Sequence, residues 1–289
     1  MRYAVCLSRL PDPTTVEVDP LTGEIDLSRL LYILNPADAA ALEMVLRLRA
    51  PGDTITALTV GPIEAETVLR DALAVGVDAV LRLWEEGRTA TRPAATALLL
   101  ATALRTEQLP DIVVCGARSL AGGSGKVPAL MAEHLDWPVV TDIVEFRFDR
   151  SRALFQRRLA RGARAEGEVT LPAVVAVEAG SVSLRYASLP GLMKARRTTI
   201  PVRHLGDLGL SPFDLNFPSA TVQAAMPPYH RPREIFIPDS SLPAHERVAQ
   251  VLSAGMVQKS GRIITGSPED AAESILAFLC EKDFVEAPR

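Results

Sequence analysis

Several features that would narrow the function of this chain at once are missing from it. No apolar run approaches the roughly 18 to 20 residues of a membrane span, and the N-terminus, "MRYAVCLSRL", has neither a long apolar stretch nor a small-residue cleavage site. The sequence therefore reads as cytoplasmic, with no direct insertion into a membrane. Cys6, Cys115 and Cys280 are too few and too scattered for a disulfide framework or a zinc site. His134, His204, His230 and His245 have no ligand spacing, so no metal centre is expected. Charge of one sign is also lacking: 31 basic residues face 35 acidic ones, and the basic ones are dispersed, which argues against nucleic acid as a partner. The one local exception is "KARR", Lys194 to Arg197.

What is present is length and alternation. The 289 residues, 48% of them hydrophobic, suffice for a large α/β core with an appendage. "YAVCL" reads as a buried first strand and "SRLPDPTT" as a polar turn, while "VEVDPLTGEID" reads as an exposed hairpin. A first helix is expected in "NPADAAALEMVLRLRA", with Asn35 as N-cap, Pro36 at its first position and Asp38 in its first turn. Strand "DTITALTVG", a helix ending at Gly76, strand "AVLRLW", helix "RPAATALLLATALRTE" and strand "DIVVCG" follow in turn. Strands and helices alternating at this spacing predict a doubly wound, mostly parallel α/β sheet with helices on both faces. "PVVTDIVEFRFD", "RALFQRRLA" and "LPAVVAVEAG" predict strands with an antiparallel extension. In such sheets ligands sit beyond the carboxyl ends of the strands, near the switch in strand order, which brings the turns after Leu7, Val60 and Gly116 around one crevice.

The last of those turns runs into "LAGGSGKVP", Leu120 to Pro128. A Walker A loop would need Gly where Leu120 stands and Ser or Thr where Val127 stands. Without a hydroxyl after Lys126 to hold a magnesium ion, nucleotide hydrolysis by this loop is not expected. What survives is a Gly-rich turn leading from a strand into the helix "VPALMAEHL", where backbone N–H groups and the helix dipole favour an anion. The bland alternative is a Gly-rich turn that binds nothing. From about Arg203 the chain becomes rich in Pro and poor in period, predicting an extended C-terminal arm followed by two amphipathic helices, "AHERVAQVLSAGM" and "PEDAAESILAFLCEKDFV". The apolar face of the last one, with Ile275, Leu276, Phe278 and Leu279, packs either on this domain or on a partner.

Taken in order, "LNPADA", "VGPIEAETVLRDALAVGVD", "PDIVVCGARSLAGGSGKVPALMAEHL" and "LRYASLPGLMKARRTTI" resemble the β subunit of electron transfer flavoproteins, in the adenine nucleotide α-hydrolase-like α/β family. The resemblance implies a heterodimer with an α subunit that carries the redox-active FAD, and one adenine nucleotide held by this chain. That nucleotide is AMP in ordinary members, which carry electrons from acyl-CoA dehydrogenases to a membrane quinone reductase. It is a second FAD, reduced by NADH, in electron-bifurcating members. A non-redox nucleotide-binding paralogue is a third reading. No bond chemistry is expected from this chain alone.

The resemblance places nucleotide contacts at the strand ends, Cys6, Leu7, Ser8, Val60 and Gly116, at Asn35, and at Ser119 with Gly122, Gly123, Ser124, Gly125, Lys126 and Val127. There the chain departs from the family's acidic turn, losing two carboxylates and gaining Lys126, which makes the turn more attractive to an anion. Ser8 stands where the family carries a Lys. For docking to a dehydrogenase, the resemblance implies a loop, residues 184–197, with Leu189 as apolar anchor and Lys194 and Arg197 as its basic rim. Residues 1–202 would then be the nucleotide-binding domain, and 203–289 the arm and C-terminal helices that pack on the α subunit. Cys6 and Cys115, ending neighbouring strands, read as two small buried hydrophobes or as a redox pair. Arg157, Arg158, Arg161 and Arg164 face either solvent or the α subunit.

Overall fold

In the computed structural model the described residues are 1–19, 24–26, 28–85, 92–149, 151–217, 238, 240–252, 266–281 and 284. They fall in two compact units, Met1–Pro227 and Pro228–Arg289.

The first unit opens with β1 (Arg2–Cys6), β2 (Arg9–Pro11) and β3 (Tyr32–Leu34), then α1 (Pro36–Leu48), β4 (Thr54–Val60), α2 (Glu66–Val75) and β5 (Ala79–Leu83). It continues with α3 (Pro93–Thr106), β6 (Ile112–Gly116), α4 (Lys126–Leu135), β7 (Val139–Asp149), β8 (Arg152–Arg158), β9 (Arg164–Thr170), β10 (Ala173–Val177), α5 (Leu189–Arg197) and β11 (Val202–Arg203). Nine strands form one sheet in the order β11-β5-β4-β1-β6-β10-β7-β8-β9. From β11 to β7 every pairing is parallel, and β7, β8 and β9 pair antiparallel. This is the expected doubly wound sheet with its antiparallel extension.

Alternation along the buried strands divides the core between the two faces. Tyr3, Val5, Ile55, Ala57, Ile112 and Val114 pack with α1 and α2 on one side. Ala4, Cys6, Leu58, Val113 and Cys115 pack with α3 and α4 on the other. Gly76, left-handed at φ 119°, closes α2 as the sequence anticipates.

Two local readings are corrected and one strand is new. "SRLPDPTT" is not only a turn: Arg9–Pro11 pairs antiparallel with Tyr32–Leu34, and the Arg9 guanidinium stacks over the Tyr32 ring at 3.8 Å. "RAEGEVT" forms β9, where Gly167 lies opposite Phe155 and leaves room for its ring; an added Cβ would come within 2.7 Å of it. The segment expected to be a docking loop, residues 184–197, is helical from Leu189 to Arg197, because Ser188 caps it by accepting from the Gly191 N–H and Pro190 fits its first turn. The hairpin expected in "VEVDPLTGEID" is described only at its ends, where Val18 bridges Ile25; residues 20–23 lie outside the described residues. Most of the extended arm, residues 218–237, also lies outside them. Before it, Leu205, Leu208 and Leu215 are buried in the first unit.

The second unit holds α6 (Ala244–Leu252) and α7 (Pro268–Glu281), the two C-terminal helices expected from the sequence. Among the described residues no helix is long and apolar enough to cross a membrane. None of their His, Cys, Asp and Glu side chains form a group suited to a metal.

Candidate functional site

β1 lies between β4 and β6, so the winding that proceeds outward from β1 through β4 to β5 resumes on its other side at β6. The switch in strand order therefore falls between β1 and β6, where loops diverge and leave a crevice. The register is direct, Cys6 opposite Cys115 and Cys6 opposite Leu58. The ends of all three strands, and with them Leu7, Val60 and Gly116, therefore stand side by side.

A buried carboxylate ties this edge together. Asp38, in the first turn of α1, accepts from the Ser8 N–H at 2.8 Å and the Ser8 hydroxyl at 2.5 Å. Its other oxygen accepts from the Gly116 N–H at 2.8 Å. The end of β1, the end of β6 and the start of α1 thus meet on one side chain. Burial pushes the Asp38 pKa up, and the donors from Ser8 and Gly116 pull it back, leaving it at about 6. Gly116 is required at its position: an added Cβ would lie 2.3 Å from the Asp38 carboxylate and 2.7 Å from Ala37.

Asn35 takes the N-cap position of α1 without capping it through its side chain. The side chain instead donates to the Arg118 carbonyl at 3.0 Å and accepts from the Leu120 N–H at 3.3 Å, mooring the loop that follows β6. Ser119 orders the next residues, its carbonyl accepting from the Gly123 N–H and its hydroxyl from the Gly122 N–H. Gly123 and Gly125 have left-handed φ values of 62° and 59°, and Gly125 is the N-cap of α4. The N–H groups of Gly125, Lys126 and Val127 find no acceptor among the described residues. Added Cβ atoms at Gly122 and Gly123 would meet nothing within 4 Å, so the turn is open on its outer side. Lys126 is exposed at the first position of the helix. Free N–H groups, a helix N-terminus, a cation and open space suit a phosphate, and residues 117–127 carry no carboxylate.

Ser8, Asn35, Gly116 and Ser119 are therefore joined in one network, with Gly122 to Val127 continuing from it. The Cys6 and Leu7 side chains are buried in the core, Cys6 is paired with Leu58 and Cys115 in the sheet, and the Leu7 N–H donates to the Leu58 carbonyl at 2.8 Å. Asp38, the centre of the network, is read from the sequence only as a first-turn acid, because its partners Ser8 and Gly116 lie 30 and 78 residues away in the chain. Burial raises the pKa of both Cys6 and Cys115, which keeps them as thiols.

Beside the crevice, Asp142 takes a left-handed φ of 61° where the register of β7 against β10 shifts. It pairs with Arg118 at 3.3 Å and Arg157 at 4.0 Å, while Arg158 lies 3.6 Å from Glu178. Leu189, Lys194 and Arg197 stand apart from the crevice network, together on α5 and exposed.

The family model for the electron transfer flavoprotein domain matches residues 22–208. The chain belongs to the electron transfer flavoprotein family. Within it, this is a β-subunit-like protein with an electron transfer function. It is 32% identical to the electron transfer flavoprotein subunit beta of Bacillus subtilis, over 82% of this chain and 92% of that one. It is also 32% identical to the caffeyl-CoA reductase-Etf complex subunit CarD of Acetobacterium woodii, over 73% of this chain and 81% of that one. Protein FixA of Azotobacter vinelandii is 30% identical over 70% of this chain and 74% of its own length.

Proposed function

We propose that this chain pairs with an FAD-bearing α subunit as the β half of an electron carrier. The carrier takes electrons from flavin dehydrogenases such as acyl-CoA dehydrogenases and delivers them to a membrane quinone reductase. AMP is bound structurally across the ends of β1 and β6, and the helices α6 and α7 pack on the α subunit. The observation that carries the nucleotide assignment is the moored crevice, in which Asp38 and Asn35 fix the loops and the N–H groups of Gly125, Lys126 and Val127 have no acceptor among the described residues. The FAD supplies the redox step when bound in the complex. This chain's part is to hold a phosphate with backbone donors and Lys126, and to present α5 to the donor.

The similarity to a protein named as a subunit of a caffeyl-CoA reductase-Etf complex supports a second reading. In it the same crevice holds a second FAD that NADH reduces. The two readings separate in one spectroscopic experiment on the co-purified αβ complex. Under the first, an acyl-CoA dehydrogenase with its substrate bleaches the flavin and NADH alone does not. Bleaching by NADH alone transfers the chain to the second reading. An αβ complex that contains no flavin contradicts both.

A further inference from the structure

Helix α5 has little of what ordinarily holds a helix in place. It is nine residues long, and its one buried side chain is Ala195. A helix of that length is marginal without tertiary support. Yet Tyr186 just before it is fully exposed, and Leu189, Leu192 and Met193 are 70%, 39% and 48% exposed. An apolar patch of this kind needs a backbone fixed by something other than its own burial.

Three fixings are present. At the entry, Glu43 of α1, 3% exposed, binds Arg185 through its backbone N–H, Nε and Nη2 at 3.1, 2.9 and 3.1 Å. In the middle, Gly191 lies against the end of α2 so closely that an added Cβ would be 2.3 Å from the Ala74 carbonyl oxygen. At the exit, Arg70 of α2 donates through Nη1 to the carbonyls of Ala195, Thr198 and Arg196 at 2.8, 3.2 and 3.4 Å. The last carbonyls of a helix lack intrahelical partners, and a cation there also meets the negative end of the dipole. Arg70 is itself held by Glu66 at 3.1 Å, which bonds on its other oxygen to Arg82, and Arg82 donates to the Gly61 carbonyl. Glu66 thus offsets the guanidinium that Arg70 adds beside Lys194, Arg196 and Arg197.

We infer that Arg70 and Gly191 are positioning residues for docking. They seat α5 on α2 so that Tyr186, Leu189 and Met193 meet the donor as a preformed patch. This rests on the reading of α5 as the docking element. Preorganisation of this kind improves association without touching the electron-transfer step.

The test compares Leu189→Ala, Arg70→Met, Arg70→Lys, Gly191→Ala and the control Gly206→Ala, whose added Cβ meets nothing within 4 Å. Each is made in the αβ complex, and a purified acyl-CoA dehydrogenase is the reductant. Arg70→Met and Gly191→Ala are expected to raise the KM for the complex about tenfold, the scale of losing charge-assisted bonds, with kcat and the flavin spectrum unchanged. Hydrogen exchange should rise in the peptide spanning 186–198 and nowhere else. Arg70→Lys should recover part of the loss, since one ammonium can replace part of the fork. If Leu189→Ala raises KM while Arg70→Met and Gly191→Ala leave KM and exchange unmoved, the positioning role is overturned and the docking reading stands. If Leu189→Ala has no effect on KM, the docking reading falls and the inference with it.

Discussion

Asp38 and Glu43 lie on the same helix and are both buried, 5% and 3% exposed, yet they anchor two regions in opposite electrostatic ways. At the crevice, Asp38 is held only by uncharged donors, and burial leaves its pKa at about 6. At the entry to α5, burial acts on Glu43 in the same direction, but Arg185 and Arg47 outweigh it and hold the carboxyl down at about 2. Ion pairing makes the entry to α5 resistant to acid. The crevice floor, held by dipoles alone, is the part whose protonation state changes near neutrality.

The most severe way to disturb one side of this comparison is steric. Gly116→Val drives a side chain into Asp38 and Ala37 and should cost about 3 kcal/mol or more, measured by urea unfolding, with nucleotide lost from the complex. Glu43→Gln removes the charge that Arg185 grips and should cost about 2 kcal/mol, with the crevice ligand retained. Asp38→Asn replaces an acceptor with a donor facing either Ser8 or Gly116, and should cost about 1 kcal/mol at pH 7 while weakening nucleotide retention.

The pH dependence of these two variants sharpens the contrast. Asp38 has a folded pKa above its ordinary value of about 4, so its contribution to stability is complete below that value and is lost as pH rises through about 6. Glu43 has a folded pKa below its ordinary value, so its contribution is present above roughly pH 4.5 and is lost as pH falls toward about 2. Unfolding curves from pH 3 to 8 should therefore lose their upper slope in Asp38→Asn and their acid slope in Glu43→Gln. Loss of the same slope in both would erase the distinction. The smallest effect is expected from Lys126→Ala: a several-fold fall in nucleotide affinity that shrinks at high salt, with stability unchanged.

The sequence made the parallel sheet legible because alternation between short apolar runs and helical period is a strong signal, and the switch point followed from connection rules alone. It also pointed to the Gly-rich turn, whose glycines occupy left-handed positions at Gly123 and Gly125. Helix α5 was hidden because Pro190 and Gly191 in its first turn are residues of loops elsewhere; only the Ser188 cap distinguishes the two. β9 was hidden by Gly167, which serves Phe155 on the neighbouring strand. The polar anchors Asp38, Glu43 and Arg70 were beyond reach for a common reason. Their roles depend on partners 30 to 142 residues distant in the chain, and no local pattern encodes such a pairing.

The crevice between β1 and β6 is proposed to hold an adenine nucleotide by its phosphate. The most direct measurement is to co-purify the chain with its α subunit, release the bound ligands with acid, and count FAD and AMP in the wild type and in Asp38→Asn. One FAD and one AMP per heterodimer are expected, with AMP alone reduced in the variant. A heterodimer with no nucleotide assignable to this chain would contradict the proposal.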